Sequence, residues 1–415
     1  MIKKHPLIET LIKLRGNAKA CVYTEPLWMI PNSLYLPFVS VYMSALMLTD
    51  SQIGLVASVS LFFRAIVAGL SGAITDKVGR KKATFIFDVL AWSIPCLLWA
   101  LSQNFWWFVI AAAFNGLMEV PNVSWTCLLV EDADRSAMVR IYTLIHIIGQ
   151  MAVIFAPIAA IMISLYSIVP VMRVLYLFAF ASKTIKFVLL YIYSTETIVG
   201  KVRKEETVGI SLFKVMSGYG EVFKRIFASP GMIFALTMSA IFTITSMIMH
   251  NFFGLLITGD LNIPDYFLAY YPILRSIIII LFMFIILPRL SKHGFKIPML
   301  AGVVLYILSH VVLIISPPGN LFVPFIYVLI EACAFCLVIP RRDSIVALLI
   351  EDDERARISS IFNSLVLFVS IPFGYLAGWL SDIDRRLPFG LDILLFIVAF
   401  IVICFGGKYM RQSEA

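Results

Sequence analysis

The sequence predicts an all-α membrane protein of twelve transmembrane helices in two six-helix pseudo-repeats, and three observations predict it. First, 61% of the 415 residues are apolar and only 14% are charged, with a mean hydropathy of +0.95. A soluble surface needs far more charge than that. Second, apolar stretches recur along the chain, each near the roughly 20 residues that a bilayer core demands of a helix. Third, LLVEDADR (128–135) returns as LLIEDDER (348–355). Both copies close an apolar span on the same side. Two parallel halves related by an axis along the membrane normal produce such a repeat.

The spans are expected at 20–47, 52–74, 83–101, 105–129, 139–164, 169–193, 231–257, 266–288, 297–315, 321–349, 358–380 and 389–407. Residues 1–193 form the first half, 194–230 a linker and 231–415 the second half. The charged residues Lys3, Lys4, Glu9, Lys13, Arg15 and Lys19 precede a first apolar stretch too long for a cleaved leader. Basic residues gather in the loops on the side of the termini, and only Arg385 and Arg386 fall in loops on the other. The asymmetry places both termini in the cytoplasm of a cell membrane. It also accounts for the net charge of +8 without a nucleic-acid partner.

The linker is the one long connection. Leu212, Met216, Tyr219, Phe223 and Ile226 recur in it at helical spacing, as in an amphipathic helix on a membrane surface or in solvent. The six cysteines all lie in apolar segments. Cys333 and Cys336 make a CxxC without a second pair, so small packing residues, not metal ligands, are expected. No Walker loop, HExxH or GxSxG is present, and neither an enzyme, a cofactor nor a metal is expected.

Between the second and third spans the chain reads Gly72-Ala-Ile-Thr-Asp76-Lys77-Val-Gly79-Arg80-Lys81-Lys82. This resembles the GxxxD(R/K)xGR(R/K) loop signature of the major facilitator superfamily. The resemblance covers the whole chain and implies a twelve-helix secondary transporter that works by alternating access, as a monomer in the lipid bilayer. It implies that Asp76 meets the positive N-terminal end of span eleven near Ile358. It also implies that Arg80 pairs with Glu131 or Asp132, and that these contacts gate the cytoplasmic face. The matching loop of the second half, Pro288–Gly294, has Ser291 where the aspartate would stand, so an asymmetric gate is expected.

Charged groups inside spans are costly and usually face a cavity. The substrate or proton candidates are Arg64, Glu119, His146, His250, Arg275, Glu331, Arg341, Arg342 and Asp343. Arg64 and Arg275 stand at similar distances before the two loop glycines. Two readings are open for them: a clamp on an anionic small-molecule substrate, or structural ion pairs with acids such as Glu119 and Glu331. Glu25 lies near the cytoplasmic end of the first span, and Asp88, Lys183 and Lys186 pair with neighbours or snorkel. Tyr35, Tyr42, Trp125, Phe252, Phe253, Tyr270 and Tyr271 line a cavity or contact lipid.

Ala156-Pro157-Ile158-Ala159-Ala160 resembles a weakened form of the GPxxGG signature of the family's drug–proton antiporters. Ala112–Gly116 lacks the arginine of the family's RxxQG, so another group must carry any coupling proton. The leading expectation is proton-coupled efflux of a small organic solute. The alternative is uptake of an organic anion.

Overall fold

The computed structural model describes residues 6–133, 138–211, 219–286, 294–349 and 355–406, and these contain helices and no strand. Among the described residues, ten helices are long and apolar enough to cross a membrane. The expected spans 20–47 and 105–129 are helical but interrupted. The first comprises α2 (Gly16–Thr24), α3 (Pro26–Tyr35) and α4 (Val39–Ala45), after a short α1 (Pro6–Lys13). Pro26 and Pro37 each remove a backbone donor and break the ladder there. Next come α5 (Asp50–Val78) and α6 (Arg80–Leu101). The second interrupted span comprises α7 (Phe105–Asn115) and α8 (Glu119–Val130), joined by a 3₁₀ turn at Gly116–Met118. Asn115, Glu119, Pro121 and Asn122 depress its hydropathy.

Then follow α9 (Arg140–Tyr166) and α10 (Ile168–Tyr193), the linker helices α11 (Ile198–Glu206) and α12 (Tyr219–Ala228), and α13 (Pro230–Asp260). The chain continues with α14 (Asp265–Ile285), α15 (Lys296–Ile314), α16 (Phe322–Leu349), α17 (Arg355–Ile383) and α18 (Leu387–Phe405). The degenerate loop residues 288–293, the linker residues Leu212 and Met216, and 350–354 of the second LLIEDDER copy lie outside the described residues.

The helices before residue 194 form a leading group, and those after 229 a trailing group. They meet mainly along α5 and α17. Thr49 caps α5 with a reciprocal bond to Gln52, which satisfies two orphan donors. Three glycines then let the backbones touch. A β-carbon at Gly54 would lie 2.3 Å from the Gly374 carbonyl oxygen, and one at Gly378 would lie 2.6 Å from the Asp50 carbonyl oxygen. In a bilayer such small-residue contact replaces the hydrophobic drive that lipid cannot supply. Ser58 Oγ donates to the Ile371 carbonyl at 2.7 Å, and Ser364 Oγ donates to the Ala65 carbonyl at 2.6 Å.

The linker touches both groups. Lys77 Nζ donates to the Ile210 carbonyl at 3.0 Å, which ties the stretch after α11 to the Asp76 loop. On α12, Val222 and Ile226 are buried against Ile358, Ile361 and Phe362 of α17. Phe223 and Phe227 stay exposed. The apolar stripe is thus split: one edge serves protein packing and the other is open to lipid or solvent.

Most of the aromatic candidates do not line an open cavity. Tyr35, Tyr42, Phe252, Phe253 and Tyr271 are buried in one core cluster that joins α3 and α4 to α13 and α14. Tyr35 and Tyr42 both pack on Tyr176, and Phe253 packs on Tyr271 and Tyr327. Tyr270 remains exposed.

Candidate transport path and end gates

The loop signature forms a bonded unit at one end. Arg80 Nη1 reaches Asp76 Oδ1 at 2.7 Å, and Arg80 Nε and Nη2 reach the Glu131 carboxylate at 3.2–3.3 Å. Asp132 bonds elsewhere: its carboxylate accepts from Asn17 Nδ2 and from the Ile198 backbone at 3.3 Å each. Glu196 completes the loop, accepting from the Arg80 backbone at 2.8 Å and from the Lys81 backbone at 3.3 Å. Gly79 adopts φ +92°, and a β-carbon there would lie 2.5 Å from Glu196 Oε2. The backbone angle demands glycine. Gly79→Ala is therefore expected to expel Glu196 and cost about 1–3 kcal/mol, read as a lower melting temperature and faster proteolysis after Lys81.

Gly72 and Gly69 face α17 across ordinary spacing. Their β-carbons would meet Ser360 Oγ at 3.9 Å and Ser364 Oγ at 3.7 Å. Asp76 itself bonds within its own loop, to Arg80.

The opposite end is bonded across the two groups. The Asp382 carboxylate accepts from the Asp50 backbone at 2.9 Å and from the Ser51 backbone at 3.1 Å, and it also bonds Ser51 Oγ. An anion at the α5 N-terminus is favoured by its free N–H groups and dipole. In return, Asp50 Oδ2 accepts from Ser381 Oγ at 2.7 Å and from Arg385 Nε at 2.9 Å. Arg385 Nη1 also reaches the Leu255 carbonyl at 3.4 Å. Among the described residues, inter-group hydrogen bonds run along α5 from Asp50 to Ala65. Among the described side chains, α17 from Ile358 onward only approaches α5 toward Asp76.

Sequence reasoning missed this set of bonds. Two signals for it exist: the Thr49–Gln52 capping pattern, and Arg385 with Arg386 as the sole loop bases on their side.

Two matching ion pairs lie between the ends. Arg64 of α5 donates from Nε and Nη2 to Glu119 Oε1, at 2.8 Å each. Arg275 of α14 grips Glu331 of α16 through Nε at 2.8 Å and Nη2 at 3.1 Å. The partners stand 55 and 56 residues apart in sequence. Gly116 makes the first pair possible, because a β-carbon there would strike Phe63 Cβ at 2.4 Å. α5 thus slides against the 3₁₀ turn and sets Arg64 beside Glu119. Both arginines keep about a third of their side chains exposed, while their acids are buried. Glu119 Oε2 also accepts from Asn363 of α17 at 3.4 Å, which links the groups at mid-depth. Neither guanidinium is free to clamp an anion in this conformation.

The remaining candidates scatter. His250 is solvent-exposed on α13 and lies within electrostatic reach of Arg275 and Glu331, as expected of a side chain that faces an internal space. His146 is exposed on α9. Arg341 donates to the Leu337 carbonyl of its own helix at 2.9 Å. Arg342 pairs with Asp343 Oδ1 at 2.6 Å. Lys186 meets Glu25 at 2.9 Å, and both are buried. The cysteines are free thiols, and the described residues hold no cluster of metal-ligating side chains.

Comparison with known proteins adds three findings. The sequence profile of the Major Facilitator Superfamily matches residues 28–374. Over 99 residues the chain is 34% identical to the multidrug resistance protein MdtG of Enterobacter lignolyticus, covering 22% of this chain and 23% of that one. Over 110 residues it is 33% identical to the MdtG of Salmonella paratyphi A, covering 25% and 26%. The chain thus matches about a quarter of the length of these relatives. Among solved structures, the nucleoside transporter NupG superposes with a TM-score of 0.67 at 19% identity, covering 96% of this chain and 100% of that one. The POT family transporter PepTSo superposes at 0.70 and 12% identity, covering 96% and 98%. At such identities the likeness establishes the fold.

Proposed function

Because this chain belongs to the major facilitator superfamily, and is thus a membrane transporter rather than an enzyme, we propose that it exports a small organic solute by alternating access, driven by protons. The observation that carries this reading is the bonded Asp50 end together with the mid-depth ion pairs. The Asp50 end is bonded shut while the ion pairs at mid-depth keep exposed guanidinium surface.

On this reading there are twelve spans in two six-helix halves, 1–193 and 231–415, with the interrupted spans α2–α4 and α7–α8 completing the set. Both termini and the Asp76 loop face the cytoplasm of the cell membrane, and the monomer is the working unit. The structure is then the inward-facing conformer. Each inter-helix hydrogen bond in a membrane is worth on the order of 0.6 kcal/mol, so the outer seal is strong enough to exclude the solute and weak enough to break in each cycle. Gly72, Asp76, Gly79, Arg80, Glu131 and Asp132 form the inner latch. Export is favoured by the MdtG likeness and by the Ala156–Ala160 segment.

The test uses proteoliposomes with ethidium as the cationic probe and fluorescein as the anionic one. Ethidium movement that needs a pH gradient is the expected result. Ethidium movement indifferent to the gradient removes proton coupling. Movement of fluorescein alone favours the second reading, anion uptake. That reading has the half-exposed Arg341 in its support, and the neutralised Arg64 and Arg275 against it.

A further inference from the structure

α15 and α18 pack closely together at the edge of the trailing group. His310 of α15, 3% exposed, faces Asp392 of α18, which is fully buried, with Nε2 at 3.4 Å from Oδ2. No sequence motif marks either residue. Their local bonding makes them unusual.

His310 Nδ1 lies 2.8 Å from the Tyr306 carbonyl oxygen. A carbonyl only accepts, so Nδ1 carries a hydrogen, a tautomer assigned from the network. Ser309 Oγ, 3.1 Å from Nδ1, gives its own hydrogen to the same carbonyl at 2.7 Å. A neutral imidazole in this place therefore turns the lone pair of Nε2 toward the carboxylate. Apart from His310, neither oxygen of Asp392 has a hydrogen-bonding partner among the described residues. Two buried acceptors facing each other is a costly arrangement. One proton between them resolves it, as imidazolium with carboxylate or as imidazole with carboxylic acid.

The surroundings supply no substitute charge. Tyr327 of α16 stands edge-on at 5.4 Å, and Phe396 and Phe389 of α18 lie at 5.1 and 6.2 Å. Tyr327 donates its hydroxyl to Met249 Sδ of α13 at 3.0 Å. Beyond Tyr306 and Tyr327 lie Arg275 and Glu331, within electrostatic reach of both phenols. His250 of α13 faces that ion pair. The His310–Asp392 pair thus sits one aromatic layer behind the charged wall of the path.

The leading group offers a contrast. There α6 and α10 bury Asp88, Lys183 and Lys186. Lys186 pairs with Glu25, and Lys183 donates to Tyr35 Oη at 2.8 Å. Asp88 is within reach of both lysines. Those acids are balanced by cations, whereas the balance of His310–Asp392 depends on a removable proton.

We propose that His310 and Asp392 together form a proton-binding site, and that its proton is the one exchanged for cargo; the second clause rests on the transport reading above. Release sends the proton from the Nε2–Oδ2 contact to water. It leaves a neutral imidazole and a carboxylate whose facing lone pairs repel. Water admitted between α15 and α18 relieves that repulsion, so unloading is tied to a change in helix packing. Reloading restores the contact.

The deciding measurement needs no cargo. Full-length protein carrying ¹⁵N-histidine is followed by NMR in nanodiscs between roughly pH 5 and 9. The His310 signal is identified by its loss in His310→Gln. The expected result is a single step that moves the Nε2 signal as the shared proton leaves, while Nδ1 keeps its own. In Asp392→Asn the amide donates permanently to Nε2, so the ring should stay neutral throughout. A wild-type Nε2 signal that does not move over the whole range overturns the site.

The coupling clause is read in proteoliposomes. Asp392→Asn should lose roughly tenfold or more of gradient-driven ethidium accumulation while keeping downhill exchange. Wild-type accumulation by that variant overturns the clause. If the wild type moves no ethidium, the cargo reading fails, and the NMR titration still decides the site.

Discussion

Glu331→Ala is expected to abolish transport and to destabilise the trailing group. The substitution leaves Arg275 without the carboxylate that takes two of its hydrogen bonds. Removing one partner of a fully buried pair costs about 3–5 kcal/mol. Arg275 keeps 33% of its side chain exposed, so solvent screens part of that loss and about 1–3 kcal/mol is expected. The guanidinium also rests on Phe335 at 4.5 Å, which holds it in place after the acid has gone. The uncompensated charge then stands in the path. Glu119→Ala should be worse, because Glu119 also accepts from Asn363 across the groups. The check is a melting curve with ethidium transport for each single variant and for Arg275→Ala/Glu331→Ala. The double variant should regain stability and remain inactive. Normal transport by Glu331→Ala would show that the pair is structural only.

How far the sequence foretold this arrangement depends on whether a feature leaves a local mark. Hydropathy marks a span, so α5, α6, α9, α10 and the trailing helices were legible in outline. The first and fourth expected spans were placed, but their breaks at Pro26, Pro37 and Gly116–Met118 were not read. The Asp76 loop has its own pattern of glycine, acid and base, and its residues do come together. Glu196 was invisible in it, because it arrives from the far side of α10 to bind backbone donors. Arg64 and Arg275 were found as costly charges, and their acids were named beside them. The choice between clamp and ion pair needed the side-chain geometry. The Asp50–Arg385 gate and the His310–Asp392 contact escaped notice because each joins residues that lie far apart in the chain. Long-range pairs leave no periodicity to read.

Gly54→Leu is expected to have the second large effect. Its β-carbon alone would overlap the Gly374 carbonyl oxygen, a backbone atom that no rotamer change can move aside. The whole side chain must push α5 and α17 apart beside Asp50. Overpacking of this kind costs about 1–3 kcal/mol, which falls on the closed conformer alone. A shift of about 2 kcal/mol changes the ratio of conformers roughly 30-fold. The Asp50 end should therefore open, and the Asp76 end should close as the halves rock. Gly54→Ala should do the same to a smaller degree.

The most direct test of the rocking account is a pair of distances measured by double electron–electron resonance in nanodiscs. One label pair, at Met47 and Phe322, spans the Asp50 end, where both side chains are exposed. The other, at Lys82 and Ser344, spans the Asp76 end at exposed positions. The account predicts two populations whose distances change in opposite directions, with Gly54→Leu lengthening the first and shortening the second. Distances that stay fixed in both proteins, or that lengthen together, would contradict it.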